Sequence, residues 1–291
     1  MDLWFTEFHR DGAGITIKVK ETIFISRSKY QEIAIVDTYE FGKMLVIDGL
    51  VMLTEADEFI YHEMMAHPAL VVHPRPEDVL IIGGGDGGTA RETLRHQRVE
   101  RLTLCEIDEM VIEACRRYFP ALSKRVTEDP RATILVEDAI KYVKGATGRF
   151  DVILVDSSDP VGPAKGLFSM EFFTDLRSAL KEDGIVALQS ESPFYHADII
   201  IQIKDGLEKA GFRYVNFYWA HIPTYPGGVW CWAMASDVYH PVEDLGEDVI
   251  KREPHLFHRS PLRYYDLHVH RAAFTLPRYM KEYLKRCGKG E

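Results

Sequence analysis

The sequence predicts an α/β protein in which a small N-terminal antiparallel β-domain precedes a doubly wound, mainly parallel sheet. Three patterns carry that expectation. Before residue 55, apolar and polar residues alternate with the period of a half-buried strand. From residue 78, short apolar runs alternate with amphipathic ones, the rhythm of β–α–β units. At 80–94, "LIIGGGDGGTARETL" leads from a strand through a glycine loop into a helix. The expected division is a β-hairpin domain over residues 1–55 and a doubly wound α/β domain over 56–291.

In chain order, "GITIKVKETIFISRS" and "QEIAIVDT" alternate cleanly, and "MLVIDGLVMLT" sets a D-G turn between two apolar runs, a strong hairpin signal. "EADEFIYHEMMAHPALVVH" has helical spacing and stops near Pro74 and Pro76. The strands that follow are "DVLIIG", "RLTLCEID", "ATILVED", "FDVILVDSS" and "GIVALQS", then "YVNFYWAHI" and "WCWAMAS". Those last two are close enough to form an antiparallel hairpin at the sheet end. The intervening helices include "TARETLRH", "EMVIEACRRYF", "AIKYVK", "MEFFTDLRSALKED" and "ADIIIQIKDGLEKAG". Folds of this kind bind ligands beyond the carboxyl ends of their strands. Acids occupy those places: Asp86 after the first sheet strand, Glu106 and Asp108 after the second, Glu137 and Asp138 after the third, Asp156 and Asp159 after the fourth.

The gross numbers exclude several classes. The chain has 291 residues, 46% of them hydrophobic, enough for a sizeable core. A net charge of −10 argues against nucleic acid and leaves cationic small ligands open. The cysteines Cys105, Cys115, Cys231 and Cys287 form no C-x-x-C pair, so reduced thiols in a cytoplasmic protein are the plain reading. "MDLWFTEFHRD" lacks the apolar stretch of a signal peptide, and no apolar run reaches membrane-spanning length. Histidines cluster in "PHLFHRS" and "DLHVHRAA"; a metal site there would need them to converge with deprotonated partners.

Gly83, Gly85 and Gly88 satisfy G-x-G-x-x-G, a pattern that usually cradles a pyrophosphate. Here Asp86 would sit beside that phosphate. Two unit charges about 4 Å apart repel by about 4 kcal/mol at an effective dielectric near 20. The loop has no cation to cancel this, since Arg91 lies inside the helix. A ligand without phosphate fits better. Glu106, about twenty residues past the loop, stands where an acid accepts both hydroxyls of a ribose. Asp138 stands where an adenine amino group would fall, and it equally suits the N-cap of "AIKYVK". A sulfonium nucleoside of the S-adenosylmethionine type meets these conditions. "VDSSDPVGPAKGLFS" adds Asp156 and Asp159 before a loop whose Pro160, Gly162, Pro163 and Gly166 predict a lid; Asp156 as an ordinary turn cap is the plainer alternative.

With these residues in view, the chain resembles the spermidine synthases, the polyamine aminopropyltransferases. The resemblance is carried by "YHEMMAHPAL", "VLIIGGGDGGTARETLRH", "CEIDEMVIEA", "FDVILVDSSDPVGPA", "ALKEDGIVALQSES", "IPTYPGG" and "HRAAFTLP", and runs from Trp4 to the C-terminal tail. It implies a Rossmann-like domain of the methyltransferase type and transfer of the aminopropyl group of decarboxylated S-adenosylmethionine to putrescine, giving spermidine and 5′-methylthioadenosine. The nucleoside is a co-substrate, and neither a metal nor a cofactor is implied. By the same resemblance Asp156 is the general base and Asp86 binds an amine. Asp159 holds an amine, Glu106 and Asp138 hold ribose and adenine, and Gln31 and Pro163 contact the nucleoside. Tyr61, His62 and Tyr225 line the polyamine channel, which Trp4, Gln189 and Trp230 join or leave for the core. A homodimer or homotetramer built through the N-terminal module is implied as well. Two departures bear on the acceptor: "TYPGG" differs from the commoner T-Y-P-S-G, and Trp230 is bulky. Rival readings are another amine acceptor, methyl transfer on the same framework, and a polyamine sensor.

Overall fold

The computed structural model describes residues 2–159, 162–246, 248–257 and 262–286. The chain opens with five antiparallel strands, β1 (Leu3–Arg10), β2 (Ala13–Arg27), β3 (Glu32–Thr38), β4 (Lys43–Ile47) and β5 (Leu50–Thr54), paired in sequence order. The D-G turn at Asp48 and Gly49 has φ of 47° and 85°, the left-handed pair that matches hairpin twist. The alternation in β3, β4 and β5 gives the sheet two apolar faces. One, with Ile33, Ile35, Leu45 and Leu53, packs on Val111, Cys115, Phe119 and Leu122; the other gathers Ile17, Val19, Met44 and Val46. β1 was not expected: its aromatic "LWFTEFHR" reads weakly as a strand because Leu3, Trp4 and Phe8 face outward, each more than half exposed.

A helix, α1 (Glu58–Val72), leads into the second sheet; from Ile60 to Val72 every residue is buried. The sheet then builds through β6 (Asp78–Gly83), α2 (Gly88–Thr93), β7 (Arg101–Glu106), α3 (Glu109–Tyr118), α4 (Pro120–Glu128), β8 (Ala132–Val136), α5 (Ala139–Val143), β9 (Phe150–Asp156), α6 (Met170–Ala179), β10 (Leu180–Gln189), α7 (Ala197–Ala210), β11 (Tyr214–His221) and β12 (Val229–Ser236). Its order is β11-β12-β10-β9-β6-β7-β8. The five central and edge strands from β10 to β8 are parallel, and β12 and β11 add the antiparallel hairpin. The strand order reverses between β6 and β9, so the crevice at their carboxyl ends is where a ligand is expected.

The differences from the sequence expectation lie at boundaries. The helix expected over 170–183 ends at Ala179, because Leu180 turns extended and pairs with Phe150 while Lys181 reaches Asp78 and Asp151. The helix expected over 89–96 ends at Thr93, where the Leu94 carbonyl accepts hydrogen bonds from Arg125 and Arg131. α4 was not anticipated; Pro120, which suggests a stop, sits at its first turn.

Glu63 of α1 shows how the C-terminal segment is held. Its carboxylate accepts backbone N–H bonds from Arg263 (2.9 Å), Tyr264 (2.9 Å) and Tyr265 (2.7 Å). Glu63→Ala strands three donors, and the expected cost is about 2–4 kcal/mol, read as a lower midpoint in urea unfolding.

Candidate active site

The site begins where β6 ends. Gly83 pairs with Asp156 across the sheet, and the Gly84 N–H donates to the Asp156 carbonyl at 2.9 Å. With φ of +78° and the Asp156 carbonyl against its Cα, Gly83 has no room for a Cβ. The glycine loop is thus stitched to the end of β9. Gly85 serves the next strand: its N–H donates to Glu106 Oε2 at 3.2 Å, and a Cβ there would strike that carboxyl. The glycines bring backbone to carboxylates rather than to phosphate.

Around this point lies a cleft of about 1210 Å³, open solvent at its mouth included. Gln31, Tyr61, His62, Asp86, Glu106, Asp138, Asp156 and Tyr225 all line it, so the structure brings eight of the residues chosen from sequence to one cavity. Leu45, Ile47, Leu50 and Met52 of the N-terminal sheet form a wall. Among the described lining residues there is no Lys or Arg.

Each acid has a distinct environment. Asp156 is 9% exposed; Tyr61 OH donates to its Oδ1 at 2.7 Å and Thr89 Oγ1 to its Oδ2 at 2.6 Å. Burial pushes its carboxyl up, and the charge of Asp86 adds to the shift. Asp86 accepts the Gly88 N–H at 2.7 Å and faces His62 Nε2 at 3.2 Å. Burial opposes its ionisation, yet the His62 charge holds it below the usual carboxylate range. Glu106 accepts the Asp108 N–H at 2.9 Å; burial, with the Asp108 charge behind it, raises it to about 7. Asp138 caps α5 through the Ile140 N–H at 3.0 Å. Gln31 reaches in from the N-terminal sheet and donates to Asp108 Oδ2 at 3.1 Å.

Tyr225 packs 5.8 Å from Tyr61 and 4.9 Å from Trp230, ring centre to ring centre. Its loop is tied to the N-terminal sheet, since Asp57 accepts from Thr54 and from both the N–H and hydroxyl of Thr224. Trp230 is buried beside it, whereas Trp4 stands 57% exposed on β1. Asp159 belongs to a neighbouring group. Burial, then the charge of Glu191, raises it to about 8. Glu191 is 1% exposed with φ of 70°, its oxygens accept no hydrogen bond of normal geometry, and His196 Nδ1 stands 3.2 Å away. The side chain of Pro163, like residues 160 and 161 of the expected lid, lies outside the described residues.

Comparison with known proteins decides the family. The family model described as spermine/spermidine synthase domain matches residues 58–243, and that described as spermidine synthase tetramerisation domain matches residues 3–55. This chain belongs to the spermine/spermidine synthase family. The polyamine aminopropyltransferase of Methanocaldococcus jannaschii is 44% identical over 286 residues, covering 98% of this chain and 96% of that protein. The one from Caldicellulosiruptor saccharolyticus is 45% identical over 285 residues, covering 98% and 99%. A crystal structure of a spermidine synthase in complex with the transition-state analogue AdoDATO superposes with a TM-score of 0.92 at 38% identity, covering 98% of this chain and 95% of that one. The spermidine synthase of Thermotoga maritima gives 0.89 at 37%, covering 97% and 94%. As a family member the chain is an aminopropyltransferase, and its second sheet is the Rossmann-like, methyltransferase-type sheet expected from sequence.

Sequence reasoning missed Thr89, Glu58, Arg91, Glu191 and His196. Glu58 was within reach, four residues before His62 on one helix face. Glu191 and His196 sit in irregular chain, where no periodicity points to them. In the "DLHVHRAA" cluster, His270 is occupied by the Pro241 carbonyl (2.8 Å) and the Tyr265 hydroxyl (2.8 Å), while His258 of "PHLFHRS" lies outside the described residues.

An acid whose folded pKa is raised binds its proton more tightly in the folded state. Stability therefore falls as pH climbs from about 4 towards the value of about 8 for Asp159. Asp159→Asn is expected to remove that part of the decline and, above this range, to raise the Tm of the ligand-free enzyme by about 2–4 °C, equivalent to roughly 1 kcal/mol in a chain of this size. Thermal unfolding across pH reads it.

Proposed function

We propose that the enzyme transfers the aminopropyl group of decarboxylated S-adenosylmethionine to putrescine, giving spermidine and 5′-methylthioadenosine. The observation that carries this reading is a cleft lined by Asp86, Glu106, Asp138 and Asp156 with no described Lys or Arg in its wall, a setting for cationic ligands. Both proposed substrates are cations. Decarboxylation leaves the donor with an ammonium and no carboxylate, so Asp86 attracts it and repels the carboxylated compound. Glu106 takes the ribose hydroxyls, Asp138 the adenine, and Gln31 packs on the nucleoside.

The acceptor arrives protonated, because alkyl ammonium groups titrate near 10. An ammonium has no lone pair, so one nitrogen must give up a proton. Asp156 receives it, with Tyr61 and Thr89 fixing the carboxylate and Tyr225 orienting the nitrogen. The nitrogen lone pair forms a bond to the propyl carbon. The carbon–sulfur bond breaks, and its electrons leave with sulfur as a neutral thioether. Alignment supplies most of the acceleration. Asp159, with the buried, strained Glu191 beside it, holds the far ammonium of the acceptor.

The N-terminal sheet assembles the subunits into a dimer or tetramer, a reading supported by the tetramerisation family match over 3–55 and by outward Leu3, Trp4 and Phe8. The enzyme works in the cytoplasm; no helix among the described residues is long and apolar enough to cross a membrane, and the −10 charge disfavours nucleic acid.

Product analysis with decarboxylated donor and a panel of diamines tests the reaction. Three-carbon transfer to putrescine supports it; methyl transfer, or no transfer to any amine, overturns it. Asp156→Asn is expected to lower kcat about 10²–10⁴-fold while methylthioadenosine binds as before. Asp86→Asn is expected to weaken the donor and leave methylthioadenosine unchanged; equal loss for both removes Asp86 from the amine role. Activity falls in acid as Asp156 takes a proton in advance, and the raised pKa of its carboxyl sets that limb above the usual carboxylate range.

A further inference from the structure

His62 stands between two carboxylates. Its Nδ1 lies 2.6 Å from Glu58 Oε2 and its Nε2 lies 3.2 Å from Asp86 Oδ1. A ring held between two carboxylates, hydrogen-bonded to one and within ion-pair reach of the other, is favoured as an imidazolium with both nitrogens protonated. Glu58 is itself clamped by Arg91, whose NH1 and NH2 reach its two oxygens at 3.0 and 2.9 Å. The result is a buried line of alternating charge, Arg91–Glu58–His62–Asp86, that ends at the cleft.

Nothing in this line is loosely placed. The His62 side chain is 3% exposed, and a Cβ on Gly88 would clash with its ring. The third glycine of the loop is therefore room for His62. The ionisable groups facing the ring are Glu58 and Tyr61 from α1, Asp86 from the loop and Asp156 from β9; Arg91 of α2 acts through Glu58, and Cys115 of α3 faces Asp86.

We propose that Glu58 is a positioning residue for the donor-amine subsite: it holds a protonated His62 turned on Asp86 and offsets that charge, so that the line carries no net charge when the donor's ammonium arrives. The inference rests on the reading of Asp86 as the acid that binds that ammonium. Burial would lower the proton affinity of His62, but the carboxylates reverse this and raise it to about 10, in keeping with the geometry.

The charge count gives the sign of the test. In the wild type the four groups sum to zero. In Glu58→Gln they sum to +1 while His62 is protonated and return to zero when it loses its proton. The experiment follows His62 by NMR of the full-length, 15N-histidine-labelled enzyme between about pH 6 and 9, and measures binding of decarboxylated S-adenosylmethionine and of methylthioadenosine by calorimetry over the same range. In the wild type both ring nitrogens stay protonated throughout. In Glu58→Gln the ring titrates inside the range, the donor binds about tenfold more weakly at the acid end, and it approaches wild-type affinity at the alkaline end, while methylthioadenosine is unaffected at every pH. Glu58→Asp, which restores the charge, returns the flat profile.

A wild-type ring that titrates near its ordinary value, or a Glu58→Gln ring that stays protonated, overturns the proposal. So does an equal, pH-independent loss for both ligands, the mark of a merely structural role. If instead the wild type does not prefer the decarboxylated donor to the carboxylated one, the reading of Asp86 fails, and the NMR titration still reports separately on whether Glu58 governs His62. Should Glu58→Gln not fold, Glu58→Asn, which removes the same charge with a shorter side chain, is expected to bring the His62 titration into the range; a ring that stays protonated in that variant overturns the proposal.

Discussion

Two aspartates at and just beyond adjacent strand ends, Asp156 and Asp86, share one cleft with His62 beside them, and the architecture is arranged around keeping those carboxylates inside. Buried carboxylates repel each other and lose hydration, so each needs donors fixed in advance. Tyr61, Thr89, the Gly88 N–H and His62 supply them. All four come from α1 or from the start of α2, the pair of helices packed over the ends of β6 and β9.

That demand explains why α1 is buried on every side. It carries Tyr61 and His62 towards the cleft, Glu58 to the α2 side and Glu63 to the C-terminal segment. A helix with four polar tasks and no solvent face has its own position fixed by apolar neighbours such as Met64, Met65 and Leu70. The N-terminal sheet has a second role besides its own core. It walls the cleft, sends Gln31 to Asp108 and, through Thr54, Asp57 and Thr224, steadies the loop that bears Tyr225. The cleft is therefore built from both sheets.

The cost appears as strain and displaced ionisation. Glu191 holds a left-handed backbone with its carboxylate buried, Asp159 beside it is raised to about 8, and Glu106 to about 7. Such groups destabilise the empty protein.

Sequence alone determined the sequence of elements: period-two segments, a D-G hairpin, then alternating strands and helices, four of the strands with an acid at or just past the carboxyl end. Those features are local, because strand periodicity, turn chemistry and strand-end position are written in a few consecutive residues. It also argued against a phosphate in the glycine loop, since Asp86 would stand beside that anion. The tertiary structure decided what no local pattern encodes. It set which strand lies beside which, hence that Gly83 meets Asp156; it made the glycines leave room for Glu106 and His62; and it placed Glu58, Thr89 and Glu191, whose importance rests on partners distant in sequence or on an irregular backbone. β1 and α4 escaped for a related reason: an outward aromatic edge strand and a helix begun by proline take their form from what they pack against, not from their own periodicity.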